Sequence, residues 1–242
     1  MRRGICCIVL SLQDRTPALK FNTMTYKKFS SMNRKDALHE LGKRILNNMQ
    51  VTGEAIQFCY NNNYTYRLSS DLFPLITYTK AHVKLEDLPN YKEICDTILD
   101  IRDYIIDHPV RLSSHPSVEF ISLDSEKYEV ALNSAKELNM HGWLHDILGL
   151  PQDYSNPINI HLKNEKRTLT EVCDLFMERF FSLLNENVKK RLVLENNDKP
   201  KSQWNVKNLY NTFYVYCKEK HNHQFPITFD YLHNICNPSF QD

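Results

Sequence analysis

Short apolar, β-branched runs alternate along this chain with longer stretches in which apolar positions recur at helical spacing. The runs predict six strands: Ile5–Leu10, Tyr64–Leu68, Val110–Leu112, Ile158–Leu162, Leu192–Leu194 and Ile227–Phe229. The first run follows a basic start, but it is too short for a signal peptide and no small-residue cleavage site follows it. We therefore expect it to be a buried strand.

Helices are predicted between these runs. Thr168 with Glu171 matches a capping box, which predicts a helix from there to about Asn187. Gly149 is placed as the C-cap of a helix over Ser125–Leu148. The remaining predictions are an apolar stripe from Ala37 to Cys59, a helix near Tyr91–Asp107 and a stripe from Val206 to Tyr216, whose tyrosine-rich stretch Tyr210–Tyr216 is expected to pack.

Strands and helices alternate without a linker or a repeat, which predicts one domain over residues 1–242 of the parallel β/α class. An open doubly wound sheet fits the strand count as well as a barrel does. In both architectures the carboxyl ends of the strands meet at one edge, where such proteins hold their active sites.

Imidazoles and carboxylates follow four of the six predicted strands: His115, His161, Glu195 and Asp230. A single histidine after a strand is more often a hydrogen-bonded structural residue than a ligand. Four strands that bring such side chains to the same edge favour a site instead. Mixed imidazole and carboxylate donors suit zinc, manganese or iron, and such ions activate water and stabilise the transition state of phosphodiester hydrolysis.

Composition limits the class of protein and the compartment in which it is expected. It is 42% hydrophobic and 24% charged, with no apolar run long enough to span a membrane. Its seven cysteines are an odd count without a C-x-x-C pair, which argues against a disulfide framework or zinc ribbon and favours a cytoplasmic or otherwise intracellular protein. The net charge is +1, yet residues 1–50 hold ten Lys/Arg against three Asp/Glu. Lys27, Lys28 and Arg34 lie there among aromatic residues, either against a phosphate backbone or in a solvated loop.

Five segments resemble the UV damage endonuclease family in order and context. They are Tyr66–Pro74, Arg111–Pro116, Ile160-His161, Leu192–Asn197 and Phe229–Asn234, and the likeness runs from about residue 4 to residue 238. The resemblance implies a TIM-type β/α barrel that carries divalent metal ions, commonly manganese and up to three. It also implies an endonuclease that nicks damaged double-stranded DNA on the 5′ side of UV photoproducts and other distorting lesions.

The resemblance assigns roles to individual residues. The metal ligands would be His115, His161, Glu195, Asp230 and His233. Glu195 would bridge ions and His233 would lie near the scissile phosphate, so these two are the catalytic candidates. Val118 and Glu119 would contact DNA, at the place where the family has a Gly-Gln pair followed by an aromatic residue.

The chain also departs from the family pattern. Tyr78 stands where the family has a histidine ligand, with His82 nearby, and Lys163-Asn164 replaces a glycine pair. A family member would continue through two more strands, so we expect an incomplete barrel of about six of eight β/α units, with strands seven and eight absent. A second polypeptide or a second copy would then complete the barrel, and no membrane partner is expected.

Three alternatives to an active endonuclease follow from these departures. One is a catalytically decayed DNA-binding or partner-binding remnant, and another is one half of a split endonuclease. The third is a sugar-isomerase-like barrel enzyme, although no sugar-specific motif recommends it.

Overall fold

A computed structural model of the chain describes residues 3–16, 18–117 and 121–239. The described residues contain six strands and fall into two compact units. The first unit holds the chain up to His115 together with Trp143–Pro151, and the second holds Pro116–Gly142 and the chain from Gln152 onward. None of the helices in these ranges is both long enough and apolar enough to cross a bilayer.

The first unit contains three parallel strands. Strand β1 (Gly4–Cys6) pairs with β2 (Thr65–Leu68), and β2 pairs with β3 (Leu112–Ser114). Helices join the strands, as a parallel sheet requires. They are α1 (Leu10–Gln13), α2 (Tyr26–Ser30) and α3 (Arg34–Asn61) before β2, then 3₁₀ turns at Thr79–Ala81 and Leu85–Asp87 and helix α4 (Tyr91–Asp107) before β3.

The second unit repeats this plan with three more parallel strands. Strand β4 (Ile158–Ile160) pairs with β5 (Leu192–Glu195), and β5 pairs with β6 (Ile227–Thr228). Helix α5 (Tyr128–Ile147) precedes β4, and the later helices are α6 (Leu169–Leu183), α7 (Glu186–Lys189), α8 (Val206–Leu209), a π-helical segment (Tyr210–Tyr216), α9 (Cys217–His221) and α10 (Tyr231–Cys236).

Each unit has its own hydrophobic core. In the first, α4 buries Ile94, Ile98, Ile101 and Ile105, which recur at helical spacing and therefore share one face. In the second, β4 and β5 are buried along their whole length, as expected for strands covered on both faces. Aromatic rings fill the space beside them: Phe176, Phe180, Trp204, Phe213 and Phe225.

Most of the predicted elements are confirmed. Helix α4 has the predicted bounds, and Thr168 caps α6 in a reciprocal box with Glu171. Gly149 follows α5 with a φ of 70°, the left-handed conformation that a glycine C-cap adopts. The parallel β/α class is confirmed as well, although β3 begins two residues later than predicted.

The prediction of a buried strand over Ile5–Leu10 is wrong. Strand β1 ends at Cys6, and its three residues are exposed or half-buried. Cys7 has a φ of 59°, which turns the chain out of the strand direction, and helix α1 begins at Leu10. A left-handed residue cannot continue a strand, and the sequence signal for one is weak outside glycine, asparagine and aspartate.

Two helix predictions also need correction. Helix α6 ends at Leu183 rather than near Asn187, because Asn139 donates to the carbonyl of Leu183 and accepts from the N–H of Asn185. The stretch Tyr210–Tyr216 does not pack throughout. Tyr210 and Tyr214 are exposed and stack on each other with centroids 5.1 Å apart, since the wider π-helical turn changes which positions face the core.

Candidate metal centre

The strands of the second unit present ligand-type side chains at their carboxyl ends. His161 directly follows β4, Glu195 is the last residue of β5, and Asp230 lies two residues beyond β6. His233 lies in the first turn of α10, which Asp230 caps by accepting from the N–H of His233 at 3.0 Å. One ligand atom each from Glu195, Asp230 and His233 lies within 4.8 Å of the other two.

Both imidazoles are oriented by backbone carbonyls. His161 Nδ1 lies 3.1 Å from the carbonyl oxygen of Glu195, and His233 Nδ1 lies 2.9 Å from that of Asn196. A carbonyl oxygen only accepts, so each Nδ1 carries a proton, and in the neutral ring the lone pair is then on Nε2. This is the arrangement by which proteins fix the tautomer of a metal-binding histidine.

One pair of side chains in the cluster lies at a distance that suits shared ligation. Glu195 is fully buried, and its Oε1 lies 3.8 Å from His233 Nδ1. On the other side of the ring, His233 Nε2 lies 3.9 Å from Asp230 Oδ2. Nitrogen and oxygen ligands about 2.0–2.2 Å from one ion are at most about 4.4 Å apart. The distance between His233 Nε2 and Asp230 Oδ2 is therefore short enough for both atoms to bind the same ion.

Asn196 positions two of these side chains, and sequence reasoning did not assign it a role. The Asn196 side chain accepts from the N–H of Asp230 at 2.7 Å and donates to its carbonyl at 3.0 Å. The Asn196 carbonyl receives His233 Nδ1–H. Asn196 follows Glu195 directly and is fully buried. The only sequence signal was its place in the Leu-Glu-Asn motif.

The loop after β4 is held by a second unforeseen residue. Asp124 is fully buried, and its Oδ2 accepts from the backbone N–H groups of both Lys163 and Asn164 at 2.6 Å. Trp204 Nε1 donates to the carbonyl of Asn164 at 2.9 Å. These bonds fix the backbone that follows His161, at the two positions where the family pattern has glycines.

The other predicted site residues belong to the first unit or lie outside the described ranges. His115 belongs to the first unit, where it directly follows β3 and is half-buried. Val118 and Glu119 lie outside the described residues. Tyr78 is partly exposed and meets Tyr26 edge-on at 5.3 Å, while His82 is exposed beside it.

The three basic residues predicted to contact DNA differ in their surroundings. Lys27 and Lys28 lie on α2 and are exposed, and Lys28 Nζ is 3.7 Å from Glu40. Arg34 instead donates to the carbonyls of Ala81 and His82 and lies over the Phe29 ring. The Arg34 guanidinium therefore holds a neighbouring loop.

These features define a parallel β/α protein of the TIM-barrel type with candidate metal ligands gathered after its strands. The profile of the family described as "UV-endonuclease UvdE" matches residues 1–241, and the chain belongs to that family. The chain is 30% identical to a UV DNA damage endonuclease of Nostoc over 97% of its own length, and 26% identical to one of Bacillus thuringiensis over 98%. These matches confirm the family named from the sequence.

A solved structure described as "Crystal Structure of SacUVDE" shares the fold with a TM-score of 0.74 and 26% sequence identity. The likeness covers 100% of this chain and 73% of that one. The chain spans 65% of the Nostoc relative and 68% of the Bacillus relative. It therefore corresponds to about two thirds of the curated relatives.

Proposed function

We propose that this chain provides the metal-binding part of a DNA repair endonuclease that hydrolyses a phosphodiester bond 5′ to UV photoproducts and other distorting lesions. The observation that carries the proposal is the pair of imidazoles, His161 and His233, whose Nδ1 protons are committed to carbonyls beside the carboxylates of Glu195 and Asp230. Membership of the UV-endonuclease family supplies the substrate class.

The donor set fits divalent ions, manganese among them. Imidazole and carboxylate donors together suit borderline transition metals, and a fully buried carboxylate such as Glu195 is costly without a cation nearby. Divalent ions bound there would lower the pKa of a bound water and offset charge at phosphorus. Glu195, Asp230, His161 and His233 are the proposed ligands in this unit. The assignment of His115 as a further ligand stays a prediction.

The residues of the chain contribute orientation and charge to this chemistry. The carbonyls of Glu195 and Asn196 keep His161 and His233 in the Nε2-basic tautomer. Asn196 holds the backbone N–H and carbonyl of Asp230, while Oδ1 of that carboxylate caps α10. Oδ2 is the oxygen that we assign to an ion. Such prior fixation lowers the reorganisation needed when charge develops on the phosphate.

We infer that Lys27 and Lys28 contact the phosphate backbone of the DNA. Both are exposed on one short helix, next to the partly exposed ring pair of Tyr26 and Tyr78. Replacement of either lysine by glutamine should weaken DNA binding for every sequence and lower the salt-dependence slope by about 1. An unchanged slope in both variants would place the DNA elsewhere.

Nicking of a UV-irradiated duplex by the purified chain with Mn²⁺ tests the proposal. The Glu195→Gln variant keeps the shape of the side chain and removes its charge, and Glu186→Gln makes the same change at an exposed surface position. Cleavage 5′ to the lesion that is lost in Glu195→Gln and kept in Glu186→Gln is the expected result. Equal cleavage by both variants would contradict it, as would Mn²⁺ binding that is unchanged in Glu195→Gln.

A further inference from the structure

Two thiols lie side by side at the end of β1, in the first unit. Cys6 is exposed and Cys7 is half-buried, and their Sγ atoms are 3.6 Å apart. Cys7 Sγ also lies 3.8 Å from the carbonyl oxygen of Leu68. Neither the family resemblance nor the proposed nuclease chemistry uses this pair.

The backbone conformation of Cys7 brings the two thiols together. Successive side chains of a strand point to opposite faces, so adjacent cysteines in a regular strand keep their sulfurs apart. Cys7 has a φ of 59°, which L residues other than asparagine and aspartate rarely adopt. The Cys7 N–H donates to the carbonyl of Arg67 at 2.9 Å, and the hydroxyl of Tyr66 donates to the Cys7 carbonyl at 2.8 Å. Strand β2 therefore fixes this conformation.

The geometry favours chelation over a disulfide. Adjacent Cα atoms are about 3.8 Å apart across a trans peptide, whereas disulfides join Cα atoms about 4.4–6.8 Å apart. Two thiolates about 2.3 Å from one tetrahedral ion lie about 3.8 Å from each other. The observed Sγ–Sγ distance of 3.6 Å is close to that spacing.

We propose that Cys6 and Cys7 form a dithiolate site for a soft divalent cation of the zinc and cadmium type. The ion replaces the two S–H protons, both of which leave to solvent, and no electron is transferred. Solvent completes the coordination, because Cys6 is exposed. Binding releases two protons, so the affinity rises with pH.

Cadmium titration of the full chain tests this site, because the ultraviolet charge-transfer band of cadmium thiolate does not arise from histidine or carboxylate ligands. We expect the band to saturate at one Cd²⁺ per chain. Cys6→Ser leaves a single thiolate and should raise the dissociation constant about 10²–10⁴-fold, the usual gain from a second tethered ligand. Cys236→Ser removes another exposed cysteine and should leave the titration unchanged.

A measurement on the wild-type protein makes the test independent of how the variants fold. Saturating Cd²⁺ should protect both Cys6 and Cys7 from alkylation by iodoacetamide, as mapped on peptides, while Cys236 reacts at its metal-free rate. If Cys6 and Cys7 are alkylated at the same rate with and without Cd²⁺, the proposal is overturned. A Cys6→Ser variant that binds Cd²⁺ with the wild-type dissociation constant would also overturn it, as would a band that disappears in Cys236→Ser.

Discussion

Replacement of Asn196 by alanine should weaken metal binding at the candidate centre although no proposed ligand is replaced. The Asn196 side chain makes two hydrogen bonds to the backbone of Asp230, at 2.7 and 3.0 Å, and is fully buried. Each backbone group left without its partner costs about 1–3 kcal/mol, and water reaches the half-buried Asp230 in part. We therefore expect a loss of about 2–3 kcal/mol in the free energy of unfolding.

The effect on metal binding follows from the same contacts. Asp230 loses its support, but the alanine keeps the backbone carbonyl that receives His233 Nδ1–H. Loss of one outer-shell partner typically lowers metal affinity about 10–100-fold. Isothermal titration with Mn²⁺ measures this loss, and urea unfolding measures the stability term on the same sample.

Asn139 offers a matched control in the same unit. Its side chain also joins one backbone N–H and one carbonyl, those of Asn185 and Leu183, at 2.9 and 3.0 Å. Asn139→Ala should lower stability by about 1–3 kcal/mol and leave the Mn²⁺ affinity unchanged. If Asn196→Ala binds Mn²⁺ as tightly as Asn139→Ala does, Asn196 does not position the site and the reasoning is refuted.

Two further predictions concern stability. Burial raises the pKa of Asp174, but hydrogen bonds from Lys220, His221 and Tyr216 offset this and hold the pKa below its ordinary value. Such a carboxylate stabilises the fold above the unfolded pKa of about 3.9 and loses that effect as pH falls through the folded pKa. The urea midpoints of wild type and Asp174→Asn should therefore differ near about pH 6 and converge toward about pH 3. A difference between the two midpoints that stays constant with pH would contradict this. Gly149→Ala should lower stability by about 1–2 kcal/mol through its left-handed φ alone, because an added Cβ meets nothing closer than Arg102 Cγ at 3.8 Å. Gly149→Asn should cost less in the same thermal melts, and equal losses would point to packing instead.

The sequence was sufficient for the elements with strong periodicity or explicit caps. Helix α4 and the capping box of α6 are local features, so their bounds could be predicted from neighbouring residues alone. The end of α6 could not, because Asn139 stops it from 46 residues away along the chain. The same limit applies to β1, where bonds from strand β2 hold Cys7 in a conformation that cysteine seldom adopts.

Some residues of the candidate site could likewise be predicted from the sequence, and others could not. His161, Glu195 and Asp230 could be proposed because each follows a strand whose hydrophobic run is visible in the sequence. Asn196 and Asp124 could not, since an asparagine or aspartate in a loop carries no mark of which distant backbone it will bind. Arg34 illustrates the converse, because a basic residue in a basic segment suggests DNA while its hydrogen bonds go to the chain itself.

Asp230 performs two tasks with its two oxygens, and this limits what can replace it. Oδ1 starts helix α10 by accepting from the N–H of His233, and Oδ2 faces the ring of the same histidine. Asparagine, serine or threonine would start the helix but bring no negative charge, whereas glutamate would bring the charge on a stem too long for the cap. Aspartate alone meets both demands. Any substitution at this position would therefore remove either the helix cap or the negative charge. A screen of all substitutions here that requires both should recover aspartate only.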